Sequence, residues 1–178
     1  MNTEAITRTI QLIEKRPAKQ FKMGSFSFNP KTKRWDDEPT CGTAACIAGF
    51  VLAACKPGVD KSSGSFSQGA GDTVGIGGSF SHRAGAVLGI DLEGGQELFF
   101  MRTLRYEEAY LDLIYKTLRK LGIKKGLEDC QLAAFDLLPA RIRKRAAVIV
   151  LQKLASTGKV DWFGAITNAS SEHKQQQP

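Results

Sequence analysis

The sequence is short of the residues that build metal and disulfide sites: 178 residues hold two histidines and four cysteines, with no Cys-x-x-Cys pair. This spacing argues against a cysteine–histidine zinc site and against a disulfide scaffold, and a reducing cytoplasm is the compartment expected. Long apolar runs are missing too. The longest, Ala44 to Cys55 with Gly49 inside it, falls well short of the ~20 residues that span a bilayer. The opening MNTEAITRTIQ lacks the charged-then-apolar pattern of a signal peptide, so neither a membrane nor an export route is expected. No repeat of solenoid period and no motif calling for a cofactor is visible.

Hydrophobic residues make up 42% of the chain and charged residues 24%, the composition of a soluble globular protein. The length suits one domain, since chains of this size bury roughly 70% of their unfolded surface. Net charge is +7, unevenly spread: residues 1–34 carry +6, residues 35–101 carry −5, residues 102–145 carry +5 and the remainder +1. Such a distribution steers an anionic partner to one side of the molecule, and nucleic acid is a common one for a chain of pI near 9.3. The competing explanation is a solvated basic face.

Helical spacing dominates. Ile6, Ile10 and Ile13 mark a first helix over 3–16, with Thr3 as its N-cap and Pro17 closing it. Phe21, Met23, Phe26 and Phe28, a turn at Asn29-Pro30-Lys31-Thr32, and then Trp35 predict a small β-hairpin over 21–36. Cys41 to Ala54 has no polar face and is expected as a helix at the centre of the fold. A Gly/Ser-rich loop covers 57–81. Further helices are expected from Ala84 to Gly89, over Leu92–Met101, over Tyr106–Leu121 ending at Gly122, over Leu127–Phe135, and from Pro139 to Thr157-Gly158. The fold class expected is therefore mainly α, one domain over 1–167, with a polar tail at 168–178 expected to be disordered.

Cys41-Gly42-Thr43, Cys46, Ala48-Gly49, Leu88-Gly89-Ile90 with Leu98-Phe99, and Leu154-Ala155 with Thr157-Gly158-Lys159-Val160-Asp161-Trp162 together resemble a widespread set of uncharacterised bacterial and bacteriophage proteins. In these a Phe-x-Met segment, here Phe21-Lys22-Met23, precedes a C-G-T-x-x-C-x-x-G helix. The resemblance spans most of residues 5–162 and implies a small, mainly helical cytoplasmic domain of bacterial or phage origin. It implies no activity.

Three kinds of chemistry are legible in individual residues. Cys41 stands at the expected start of a buried helix, where unpaired amides and the dipole favour a thiolate, and His82 is the candidate base of a cysteine-dependent hydrolase or transferase. Against this, small residues and thiols in such a helix commonly serve close packing. The run Gly75-Ile76-Gly77-Gly78-Ser79 leads into a helix and offers free amides to the phosphate of a small anionic nucleotide, although it lacks the Gly-Lys-Ser/Thr ending of a phosphate loop. Finally, Arg141, Arg143, Lys144 and Arg145 crowd a helix start, where the dipole disfavours cations by roughly 0.3 to 1 kcal/mol each. Asp136 compensates part of this. With Lys116, Arg119, Lys120, Lys124 and Lys125 they form a candidate basic patch. The reading this favours is a non-catalytic interaction protein that binds a nucleic-acid complex or an acidic protein surface.

Overall fold

The computed structural model describes residues 1–21, 28–29, 34–35, 46–55, 80–100, 108–123 and 134–175. Among these the chain is mainly helical: α1 (Thr3–Lys15), α2 (Ile47–Cys55), α3 (Phe80–Leu88), α4 (Leu92–Phe100), α5 (Glu108–Lys120), α6 (Ala134–Leu137), α7 (Ala140–Thr157) and α8 (Trp162–Gln175). None of these helices is long and apolar enough to cross a membrane.

Of the expected hairpin, the structure holds two-residue segments, Phe28–Asn29 and Arg34–Trp35, paired antiparallel with Phe28 opposite Trp35. That is too short for an element with a face of its own. Phe21, assigned to the hairpin from sequence, instead follows a 3-10 turn at Ala18–Gln20 and is a core residue. Its ring stacks on Phe50 of α2 at 6.1 Å.

Helix α1 begins at Thr3, and its N-cap is Asn2 rather than Thr3: Asn2 Oδ1 accepts from the Ala5 amide at 3.0 Å. The Asn2 amide in turn donates to the Leu88 carbonyl at 2.7 Å, which ties the chain start to the end of α3. Helix α2 starts at Ile47, after Cys46; residues 41–45 lie outside the described residues, as does most of the Gly/Ser-rich stretch at 57–81. Every residue from Cys46 to Leu52 is buried, in keeping with a segment that lacks a polar face.

The layers follow from which helix touches which. Helix α1 packs on α2 on one side and on α7 on the other, α2 also packs on α3, and α8 lies along α7. The centre expected at α2 is thus shared with α7, where Ile142, Ala146, Ala147, Val150, Leu151 and Leu154 are all buried. Ile149 on the same helix is half-buried.

Glycines set the helix ends. Gly89 (φ 65°) and Gly122 (φ 71°) occupy the left-handed region, and each is followed by an amide that reaches back five residues, Ile90 to Gly85 and Ile123 to Leu118, both at 3.0 Å. This is the Schellman closure, which an L side chain at the same φ would strain.

Where disorder was expected at 168–178, the chain is helical through Gln175, and residues 176–178 lie outside the described residues. Trp162, Ala165, Ile166 and Ala169 form a buried i, i+3, i+4, i+7 stripe beneath its polar surface. Two further boundaries shift: Pro139 precedes α7 as its N-cap, and α6 is the single turn Ala134–Leu137, with residues 124–133 outside the described residues.

Candidate functional site

A cleft of about 550 Å³ opens where the end of α1, the first turns of α7 and the last turns of α8 meet. Local sequence explains its walls. Pro17 restricts the residue before it to extended backbone, so α1 stops at Lys15 and Arg16 sits at φ −91°, ψ 146°. On α7, Arg141, Lys144, Arg145 and Val148 fall at i, i+3, i+4 and i+7, one stripe that faces the cleft. On α8, Ala169, Glu172 and His173 close the third wall.

The basic run at the start of α7 is consumed largely within the molecule. Arg143 is 8% exposed and donates from Nη1 to Asp136 Oδ1 at 2.7 Å, while its buried Nε has no partner. Lys144 Nζ donates to the carbonyls of Glu14 (2.8 Å) and Arg16 (2.7 Å), the open end of α1. An ammonium placed unfavourably for the dipole of α7 is therefore placed favourably for that of α1. Partial burial lowers the Lys144 pKa, against the field of Glu14. Arg145 grips Glu172 with two bonds, Nε to Oε2 at 2.6 Å and Nη2 to Oε1 at 3.0 Å. That pairing raises the Arg145 pKa and lowers that of Glu172. Only Arg141 of the four is exposed and without a partner among the described residues, and Arg16 on the facing wall is likewise unpaired.

The basic residues of α5 belong elsewhere. Lys116 pairs with Asp112 at 2.6 Å, Arg119 lies over the Tyr115 ring at 4.5 Å, and Lys120 lines a cleft of about 110 Å³ between α5 and α8. At 3.6 residues per turn, the α8 residues lining that cleft (Thr167, Ser170, Ser171, Lys174) lie roughly opposite Ala169, Glu172 and His173. Helix α8 thus separates what the sequence joined into one patch. Lys124 and Lys125 lie outside the described residues.

The reactive-thiol argument meets a different cysteine. Cys41 and Gly75 to Ser79 lie outside the described residues, and His82 sits exposed on α3. The thiol at the described start of α2 is Cys46, in contact with the amides of Ala48 and Gly49 as an N-cap would be. Burial nevertheless pushes it up to about 11, overriding the amides, so this thiol is neutral at physiological pH. No group of three or more metal-ligating side chains occurs among the described residues.

The residues that carried the family resemblance have structural roles where they are described. Gly158 (φ 72°) caps α7, Asp161 Oδ1 accepts from the Gly164 amide at 2.8 Å and caps α8, and buried Trp162 donates from Nε1 to the Glu97 carbonyl at 3.0 Å. Asp161 also pairs with Lys153, and these two contacts hold its carboxyl below the usual range.

Sequence reasoning missed Arg16, Glu14, Glu172 and His173 as cleft residues. The signal for the last two was the Trp162, Ala165, Ile166, Ala169 stripe, hidden by the polar composition around it. Comparison with family models, with curated proteins and with solved structures finds no match to this chain.

Proposed function

We propose that the chain is a non-catalytic binding protein that takes an acidic group of a protein partner into the cleft between α1, α7 and α8. The observation that carries this reading is the presence of two guanidinium groups, Arg16 and Arg141, lining one cleft from different helices, neither of them in an ion pair or side-chain hydrogen bond among the described residues. Unpaired cations beside a partly apolar wall favour an anion that brings some apolar surface with it.

An acidic protein is favoured over nucleic acid because a phosphate backbone needs a continuous run of cations to track. Here Arg143, Lys144 and Arg145 are engaged internally, and the cations of α5 lie on the other flank of α8.

Fluorescence anisotropy tests the reading with a labelled glutamate-rich peptide and a duplex oligonucleotide as probes. The peptide is expected to bind, and Arg16→Ala or Arg141→Ala to weaken it about tenfold, the loss of one charge-assisted contact. Preferential binding of the duplex, falling steeply with salt, would move the assignment to nucleic acid.

A further inference from the structure

We infer that the acidic group for which the cleft is built is a phosphorylated side chain of the partner, a phosphomonoester dianion rather than a carboxylate. This rests on the reading of the cleft as an acidic-partner site and specifies what the partner presents.

The first ground is charge. Arg16, Arg141, Lys144 and Arg145 set four positive charges against the two negative charges of Glu14 and Glu172, so the lining carries a surplus of two. A phosphomonoester carries about −1.5 to −2 at pH 7, which matches that surplus; a carboxylate leaves half of it unbalanced.

The second ground is the shape of the acceptor. A carboxylate presents two oxygens in one plane and is satisfied by a single guanidinium fork. The cleft already contains that arrangement in Arg145 and Glu172, with bonds of 2.6 and 3.0 Å. The unmatched donors are two guanidinium groups reaching from different walls, one at the end of α1 and one on α7. Two planes of donors need an acceptor whose oxygens point in more than one plane, and the three terminal oxygens of a phosphomonoester do.

The third ground is room. The 550 Å³ of the cleft holds a phosphate together with the side chain that bears it, and Pro17, Ala18, Val148 and Ala169 give an apolar wall for its carbon atoms.

The test uses three labelled pentapeptides, Ala-Ala-X-Ala-Ala, in which X is phosphoserine, glutamate or serine, with inorganic phosphate as competitor. The phosphoserine peptide is expected to bind at least about tenfold more tightly than the glutamate peptide, and the serine peptide not measurably. Arg16→Ala and Arg141→Ala should each weaken the phosphopeptide about tenfold. Neither side chain makes an ion pair or hydrogen bond among the described residues, so both variants are expected to keep the fold, which a thermal unfolding curve checks. Arg→Lys at either position should restore only part of the affinity, because an ammonium supplies charge without the fork.

Equal affinity for the glutamate and phosphoserine peptides, both lost on Arg141→Ala, would overturn the phosphate assignment and leave the acidic-partner reading standing. Failure of both peptides to bind would overturn both. Inorganic phosphate competing at the concentration of the phosphopeptide would overturn the protein source, and binding indifferent to Arg16 and Arg141 would overturn the site.

Discussion

The two flanks of α8 both carry basic side chains and differ in what those charges have left to do. On the α5 flank two cations are settled locally, Lys116 on Asp112 one turn away and Arg119 on the Tyr115 ring, while Lys120 and Lys174 line the small cleft between α5 and α8. The hydroxyls of Thr167, Ser170 and Ser171 donate to carbonyls one turn earlier in their own helix, so they have little to offer a ligand. On the α7 flank the contacts reach across the fold, Lys144 to α1 and Arg145 to α8, and Arg16 and Arg141 remain over. A count of basic residues does not locate a site. What distinguishes the two flanks is the kind of charge left once internal partners are assigned and the room beside it: two guanidinium forks at a cleft of about 550 Å³ against two ammonium groups at one of about 110 Å³.

The largest effect expected from breaking this pattern is at Arg143. Removing Arg143, whose side chain is 10% exposed, leaves a partly buried Asp136 (31%) uncompensated, so Arg143→Ala should cost about 3 kcal/mol in denaturant unfolding, the low end for breaking a buried pair. The double replacement Arg143→Met with Asp136→Leu should recover most of that, because the pair bears the desolvation of an Arg143 Nε that bonds to nothing. A single replacement costing under about 1 kcal/mol would show that the pair is not buried in solution.

Lys144→Met comes next. It strips the terminal carbonyls of α1 of a charged donor and should cost about 1.5 to 3 kcal/mol, against the gain a dipole argument confined to α7 would expect. For the same reason, reversing Arg143 and Lys144 to Glu should destabilise the protein rather than preserve it. The variant pair that separates binding from stability is Arg16→Ala and Arg141→Ala.

These cases also show where the sequence was legible. Glycine stops at 89, 122 and 158, and the apolar periodicity of α1, α5 and α7, depend on local backbone conformation and one buried face, which nearby residues encode. Asp136 as partner of Arg143 was within reach because the two are close in sequence. The partners of Lys144 lie 128 and 130 residues away and that of Arg145 lies 27 away, so no local rule finds them. The helix-start thiol argument weighed dipole and amides but not burial, and at Cys46 burial wins.

A smaller effect is expected in acid. Glu172 and Asp161 have carboxyls held below their ordinary values, by Arg145 and Lys153 respectively. Their contribution is therefore in place above the unfolded carboxylate pKa of about 4 and is lost as pH falls through the lower folded values. Both pairs are partly exposed, so each is worth no more than about 1 kcal/mol. Unfolding free energy should be level from pH 7 to about 5 and fall below about 4, with Glu172→Gln flattening part of that fall. An unchanged acid profile in Glu172→Gln would mean that the Arg145 contact does not persist in solution.

The smallest effect belongs to the other flank and closes the comparison. Lys116 and Asp112 form an exposed pair one helical turn apart, 65% and 50% exposed, where solvent screens the attraction and two long side chains lose freedom to meet. Lys116→Ala should change stability by no more than about 0.5 kcal/mol, and alanine's helix propensity offsets even that. Binding of the acidic peptide should be unaffected, since α8 stands between Lys116 and the α1–α7–α8 cleft. If Lys116→Ala weakened that binding as much as Arg141→Ala, the two flanks would act as one electrostatic surface, and the division made by α8 would not govern recognition.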